Sequence, residues 1–100
     1  MKTPEWPFDV PPGEVVVTTT YVTKGGLPIL SVVHELDEDE GIVWQFHCGN
    51  GDYDNAVLQL VRLDEILRLE PGLLELAGLP LGHEARRDGP GAPWRVAPVS

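Results

Sequence analysis

His47 and Cys48 are adjacent, and His34 and His83 lie elsewhere in the chain. Imidazole and thiolate are ligands for zinc, and together they form the base and nucleophile of a covalent mechanism. Neither chemistry fits the spacing. No Cys-x-x-Cys or His-x-x-x-His pair occurs, so a closed metal site is not expected. Neighbouring side chains on a strand point to opposite faces, which keeps His47 from serving Cys48 as a base. Asn50, Asp52, Asp54 and Asn55 make an oxygen-rich loop. Counted from Asn50, however, the sixth place is Asn55 rather than glycine and the twelfth is Val61 rather than glutamate, so it is no EF-hand. Gly49-Asn50-Gly51 is followed by no Gly-Lys-Ser/Thr, and Ser31 has no nucleophile-elbow setting. We therefore expect no catalytic residues, no metal and no cofactor. A hydrolase with converging carboxylates is the enzyme reading to weigh against this, and it needs two acids in one cleft.

The acids offer a different chemistry. Glu35, Asp37, Glu38, Asp39 and Glu40 crowd one short stretch, and Asp52 and Asp54 follow in the next loop. Such runs repel themselves, and a basic surface facing them relieves the repulsion. These seven residues are the candidate partner-binding set, although the two loops need not lie at the same end of a sheet. The alternative is a solvated turn that protects a sheet edge from aggregation.

The whole chain carries the same sign. Its 100 residues hold 16 Asp and Glu against 7 Lys and Arg, a formal charge of −9. That excludes nucleic acid, whose phosphates need clustered basic residues, and an anionic membrane surface. It fits a basic protein partner. Apolar types make up 42% of the chain, enough for one core. One cysteine cannot form an internal disulfide, and no apolar run approaches bilayer length, so a cytoplasmic protein is expected.

The elements that must position these residues centre on residues 42–49, the clearest strand. Ile42, Trp44, Phe46 and Cys48 fall on one face, and Val43, Gln45 and His47 on the other. Residues 1–13 contain four prolines and read as an extended arm, with Trp6 and Phe8 pinning it across a single domain at 14–100. Strands are expected at 14–22, 28–36 and 56–62, with a tight turn at Lys24-Gly25-Gly26. From Leu63 the period becomes helical. Asp64 would cap a helix at 65–69 with Ile66, Leu67 and Leu69 inward. Pro71 would start a second helix behind a Glu70 cap, with Leu73, Leu74, Leu76 and Ala77 buried and Gly78 as its left-handed stop. Residues 83–87 are short and basic. Residues 94–96 read as an edge strand, which leaves room for a homodimer. The expected fold is α+β: an antiparallel meander of about four to five strands with two short helices packed on one face.

Three stretches carry a resemblance. They are Trp44-Gln45-Phe46 with Cys48-Gly49, then Leu63-Asp64-Glu65-Ile66-Leu67 with Glu70-Pro71-Gly72-Leu73-Leu74, then Leu79-Pro80-Leu81-Gly82 with Ala85, Arg87 and Trp94. In this order they resemble a family of small bacterial domains grouped with the immunity proteins of polymorphic toxin systems. The likeness spans residues 26–96. Members often have Asp where this chain has Glu70, a change that keeps the charge. The resemblance implies a cytoplasmic protein that binds and occludes a cognate toxin, without chemistry of its own. It also implies that Trp44, Phe46, Ile66, Leu73 and Trp94 are structural core, with Arg87 pairing with an acid or covering an aromatic face. The competing expectation is a small interaction or ligand-binding module, its site near Gln45 and His47 beneath the helices.

Overall fold

A computed structural model describes residues 6–39, 41–52 and 54–99. Its central strand, β3 (Gly41–His47), buries Trp44 and Phe46 as the two-residue alternation requires. Around it lie β1 (Val15–Thr19), β2 (Ser31–Asp37), β4 (Leu58–Arg62), β5 (His83–Arg86) and β6 (Arg95–Pro98). They form one sheet in the order β4-β1-β3-β2-β5-β6. Two α-helices, α1 (Thr20–Thr23) and α2 (Leu63–Leu69), and a 3-10 segment at Pro71–Leu76 complete the fold.

The α+β class matches expectation, but the sheet has six strands and is not a simple meander. β1 pairs in parallel with β3, Val17 opposite Gln45, while β4 pairs antiparallel with β1 on its other side. β2 and β3 form the expected hairpin. The chain leaves β1 early because residues 20–23 coil into a helical turn instead of continuing the strand. Thr20 donates to Val57 O at 2.8 Å, and Lys24 and Gly25 donate back to Thr20 O. A Cβ on Gly25 would stand 2.7 Å from Tyr21 O, so that close approach requires glycine. The expected turn at 24–26 therefore ends a helix and starts a crossover. That crossover carries β2 to the far side of β3.

β2 starts at Ser31, later than expected. β4 starts at Leu58, because Asp54 O first takes the amides of Val57 and Leu58. β5 had no apolar alternation to reveal it, with Ala85 its one buried residue. β6 is an edge strand, short and fully exposed, and Pro98 near its end limits pairing with another chain.

The helical half shows three departures. α2 begins at Leu63, with Arg62 rather than Asp64 at the cap position. Carbonyls of the segment just before β1 meet its first amides, Leu63 N donating to Glu14 O and Asp64 N to Pro12 O. Asp64 instead receives Arg62 Nη2 at 2.9 Å. The second expected helix is a 3-10 segment. Leu73, Leu76 and Leu79 are buried at intervals of three, the 3-10 period, and Leu74 faces solvent. Leu69 is also exposed, and Gly78 has no left-handed φ, whereas Gly82 does at 81°.

Of the five expected core side chains, Trp44, Phe46, Ile66 and Leu73 are fully buried. Trp94 is half-buried and packs against the core margin. The arm is no separate unit from Trp6 onward, since Phe8 and Val10 belong to the same core cluster. Residues 1–5 of the arm lie outside the described residues.

Glu70 caps no helix with its side chain. Its carboxylate accepts from Arg87 Nη2 at 2.8 Å and from Ile29 N at 3.2 Å. Arg87 Nε and Nη2 donate to Ile29 O, and its guanidinium lies 4.5 Å above the Trp94 ring. The Arg87 side chain is 8% exposed. Removing it strands a carboxylate and a carbonyl in poorly hydrated space. Arg87→Met should lower the unfolding free energy by about 3 kcal/mol, read as a reduced urea midpoint at unchanged slope.

Candidate functional site

α2 and the 3-10 segment pack their buried leucines into the cluster that holds Trp44 and Phe46. The pleat directs alternate residues to the opposite face, and there the sheet meets solvent. By register this open face carries Val15 and Val17 from β1, Val43, Gln45 and His47 from β3, and Leu60 from β4. It also carries Ser31, Val33, Glu35 and Asp37 from β2, Glu84 and Arg86 from β5, and Arg95 from β6.

One corner of this face is apolar. Val15, Val17, Ile42, Val43 and Leu60, with Glu14, line a depression of about 230 Å³. Leu60, in the middle of β4, is 68% exposed, and Val15, at the start of β1, is 58% exposed, where a covered sheet would bury them. Acids surround it. Glu35 stands directly across the hairpin from Val43, and Asp37 is opposite Gly41 at the tip that continues into Glu38 and Asp39. Asp37 Oδ1 accepts from Asp39 N at 2.8 Å, which orders the tip.

The middle of the face is polar. Gln45 Nε2 donates to Glu35 Oε1 at 2.9 Å, which leaves Gln45 Oε1 to accept from His47 Nε2, also at 2.9 Å. Glu35, Gln45 and His47 thus form one row along β2 and β3, bordering a depression of about 220 Å³ with Ser31, Glu84 and Arg86. His47 is buried although it belongs to this face, and burial lowers its pKa below 6.5 by disfavouring the cation. The helices lie on the other face and do not close over it.

The expected partner-binding residues divide. Glu35, Asp37, Glu38 and Asp39 gather at one end of β3; Glu40 lies outside the described residues. Asp52 and Asp54 sit past the other end, roughly 20 Å away by the rise of seven strand residues. Their carboxylates are engaged locally. Asn50, Asp52 and Asp54 each accept the amide two residues on, at 2.9–3.1 Å. Asp52 Oδ2 also accepts Tyr21 O–H at 2.6 Å, tying this loop to α1. That bond lowers the Asp52 pKa and raises that of Tyr21. The loop is thus a stack of side-chain-closed turns. The apolar corner is absent from the sequence reading, although Val15 and Val17 alternate with the buried Val16 and Thr18 and could mark it.

His34 does not face the open side. It stacks on Trp44 at 3.9 Å, donates Nδ1–H to Leu79 O at 2.7 Å, and points Nε2 at Asp9 Oδ2, 3.1 Å away. Cys48 is buried in the core cluster. Among the described residues no three His, Cys, Asp or Glu side chains are grouped to hold a metal ion, and no helix is long and apolar enough to cross a membrane. No protein-family model, curated protein or solved structure matches the chain.

The lowered pKa of His47 has a consequence for stability. The unfolded chain takes up this proton near pH 6.5, and the folded chain does so only at lower pH. The stabilisation is complete above 6.5 and is lost as pH falls from there through the folded value. His47→Gln should flatten the slope of unfolding free energy against pH in that acid window. Urea titrations from neutral pH downward will show it, and NMR titration of the ring will locate the folded pKa.

Proposed function

We propose that this protein is a non-catalytic binding protein of the immunity class. On this reading it docks on a cognate basic toxin domain in the cytoplasm and occludes its working surface. The observation that carries the reading is the apolar corner of Val15, Val17, Val43 and Leu60 on the open sheet face, with Val15 and Leu60 exposed, edged by Glu14, Glu35 and the acidic hairpin tip. Exposed apolar area of this kind on a small soluble domain marks an interaction surface. The acidic edge, within a chain of net charge −9, suits a partner rich in Lys and Arg.

The division of labour follows from general interface physics. Leu60 and its neighbours would supply the desolvated centre, where most binding energy resides. Glu35, Glu38 and Asp39 would supply the rim, which speeds and orients encounter more than it adds affinity. Asp52 and Asp54, at the far end and committed to local turns, would stand outside the contact. The resemblance to immunity proteins supplies the class of partner; the open face supplies the means of holding it.

A second reading, a small-ligand module, draws support from the polar depression beside Gln45 and His47. It differs in needing no protein partner.

The test is direct. The product of the adjacent reading frame is co-expressed, purified and titrated with the full chain by calorimetry at low and moderate salt. Leu60→Asp and Val15→Asp should each weaken binding by about tenfold or more. Glu38→Lys with Asp39→Lys should slow association and remove most of its salt dependence, while Asp54→Lys leaves both unchanged. A neighbour that is no toxin and shows no binding would remove the reading.

A further inference from the structure

The opposite corner of the open face gathers arginines. Arg86, Arg87 and Arg95 are three of the chain's seven basic residues, and all three line one groove of about 370 Å³ with Leu30, Ser31, Gly49 and Gly51. In a protein of charge −9 this is a local concentration of guanidinium groups, each matched by one acid.

Register explains the grouping. β5 and β6 place Arg86 directly opposite Arg95, and β2 and β5 place Ser31 directly opposite Arg86. All three side chains therefore leave the same face of the sheet in one row. Like charges directly opposite across a strand pair are unfavourable. Each arginine is held by an acid of its own segment, Arg86 by Glu84 at 3.3 Å and Arg95 by Asp88 at 3.1 and 3.2 Å. Both arginine side chains are 61% exposed, and pairs so exposed contribute only about 0–1 kcal/mol. They are tethered forks that a better acceptor can recruit. Arg87 differs: Glu70 and Ile29 fix it, so it forms a wall and supplies no mobile donor. Gly49 and Gly51, at φ 80° and 82°, border the groove with backbone alone.

We propose that this groove binds the phosphate group of a small anion, free phosphate or a phosphomonoester, between Arg86 and Arg95, with the Ser31 hydroxyl as a positioning donor. A single carboxylate saturates one guanidinium fork. A phosphate presents three oxygens tetrahedrally and engages two forks from neighbouring strands at once. A nucleic acid is a poor fit, because two arginines release few counterions while the remaining charge repels a polyanion. The site is independent of the protein-docking reading, since it lies diagonally across the sheet from the apolar corner.

The full chain, labelled with ¹⁵N, is titrated with inorganic phosphate and separately with glycerol phosphate, at ionic strength held constant with chloride. Saturable amide shifts are expected at Ser31, Gly49, Gly51, Arg86 and Arg95. Tighter binding of the ester would assign the rest of the groove to its organic part, and equal binding would assign the bare phosphate; either supports the site. Arg86→Gln and Arg95→Gln should each weaken binding about tenfold or more, the loss of one charge-assisted contact. Arg62→Gln, on the far edge of the sheet, should leave it unchanged. The proposal is overturned by shifts that fail to saturate at millimolar probe, by equal shifts at Arg62 and Lys24, or by an Arg95→Gln protein that is folded by its spectrum and binds as before.

Discussion

The Trp44 indole is the contact on which the other layers of this molecule depend. One of its faces stacks with His34 at 3.9 Å, and Phe46 lies nearly parallel at 6.1 Å. Phe8 meets it edge-on at 5.1 Å, and its Nε1–H donates to Asp9 Oδ1 at 3.1 Å. Those four partners come from β2, from β3 and from the N-terminal arm. A buried indole contributes some 150–250 Å² of apolar contact and must also place one polar hydrogen. The arm supplies both the ring that covers the indole and the carboxylate that accepts its hydrogen. This is why residues 6–13 of the proline-rich segment, which form no strand or helix of their own, lie against the sheet. His34 then links the same centre to the loop after the 3-10 segment, through Leu79 O. Sheet, arm and helical layer converge on one side chain.

That convergence uses up the apolar inventory on one side. A chain of 100 residues has material for one core, and its two longest helical elements both lie on the Trp44 face. The other face keeps the residues that the pleat assigns it, including Val15 and Leu60 in water. Exposure of these strand aliphatics is therefore a direct result of one-sided covering. The same pleat sorts charge. Acids collect where the β2–β3 hairpin ends, and arginines where β5 and β6 pair. The open face thus has an apolar corner edged by acids and a polar one where arginines gather, each paired with an acid.

Much of this was legible in the chain, and what was not has identifiable causes. β3 declared itself because Trp44 and Phe46 alternate with Val43 and Gln45, a pattern that depends on neighbours two residues apart. The α+β class followed from the change of period at Leu63. Strand pairing was another matter. Whether β1 lies beside β2 or beyond β3 depends on contacts distant in sequence, and the helical turn at Thr20–Thr23 that decides it runs through β-branched residues that favour extended chain. The leucines at 73, 76 and 79 suit a period of three, but Leu74 beside them allowed a reading at 3.6. For the candidate site, the acids were visible as charge and their hydrogen bonds were not. Asp52 and Asp54 look like a patch in sequence, yet in space they close turns and anchor Tyr21.

The distinction between acids that build and acids that remain available narrows the working surface. A carboxylate that accepts a backbone amide two residues on is part of the loop's covalent neighbourhood, and a partner that pulls on it unravels a turn. By that criterion the loop after β3 is scaffold. Glu35 occupies a middle position, because its bond to Gln45 is one end of a row that reaches His47 in the buried part of the sheet. A cation placed against Glu35 would draw on the Gln45 amide that His47 also uses. The acidic corner and the titrating imidazole are thereby coupled through a single side-chain amide.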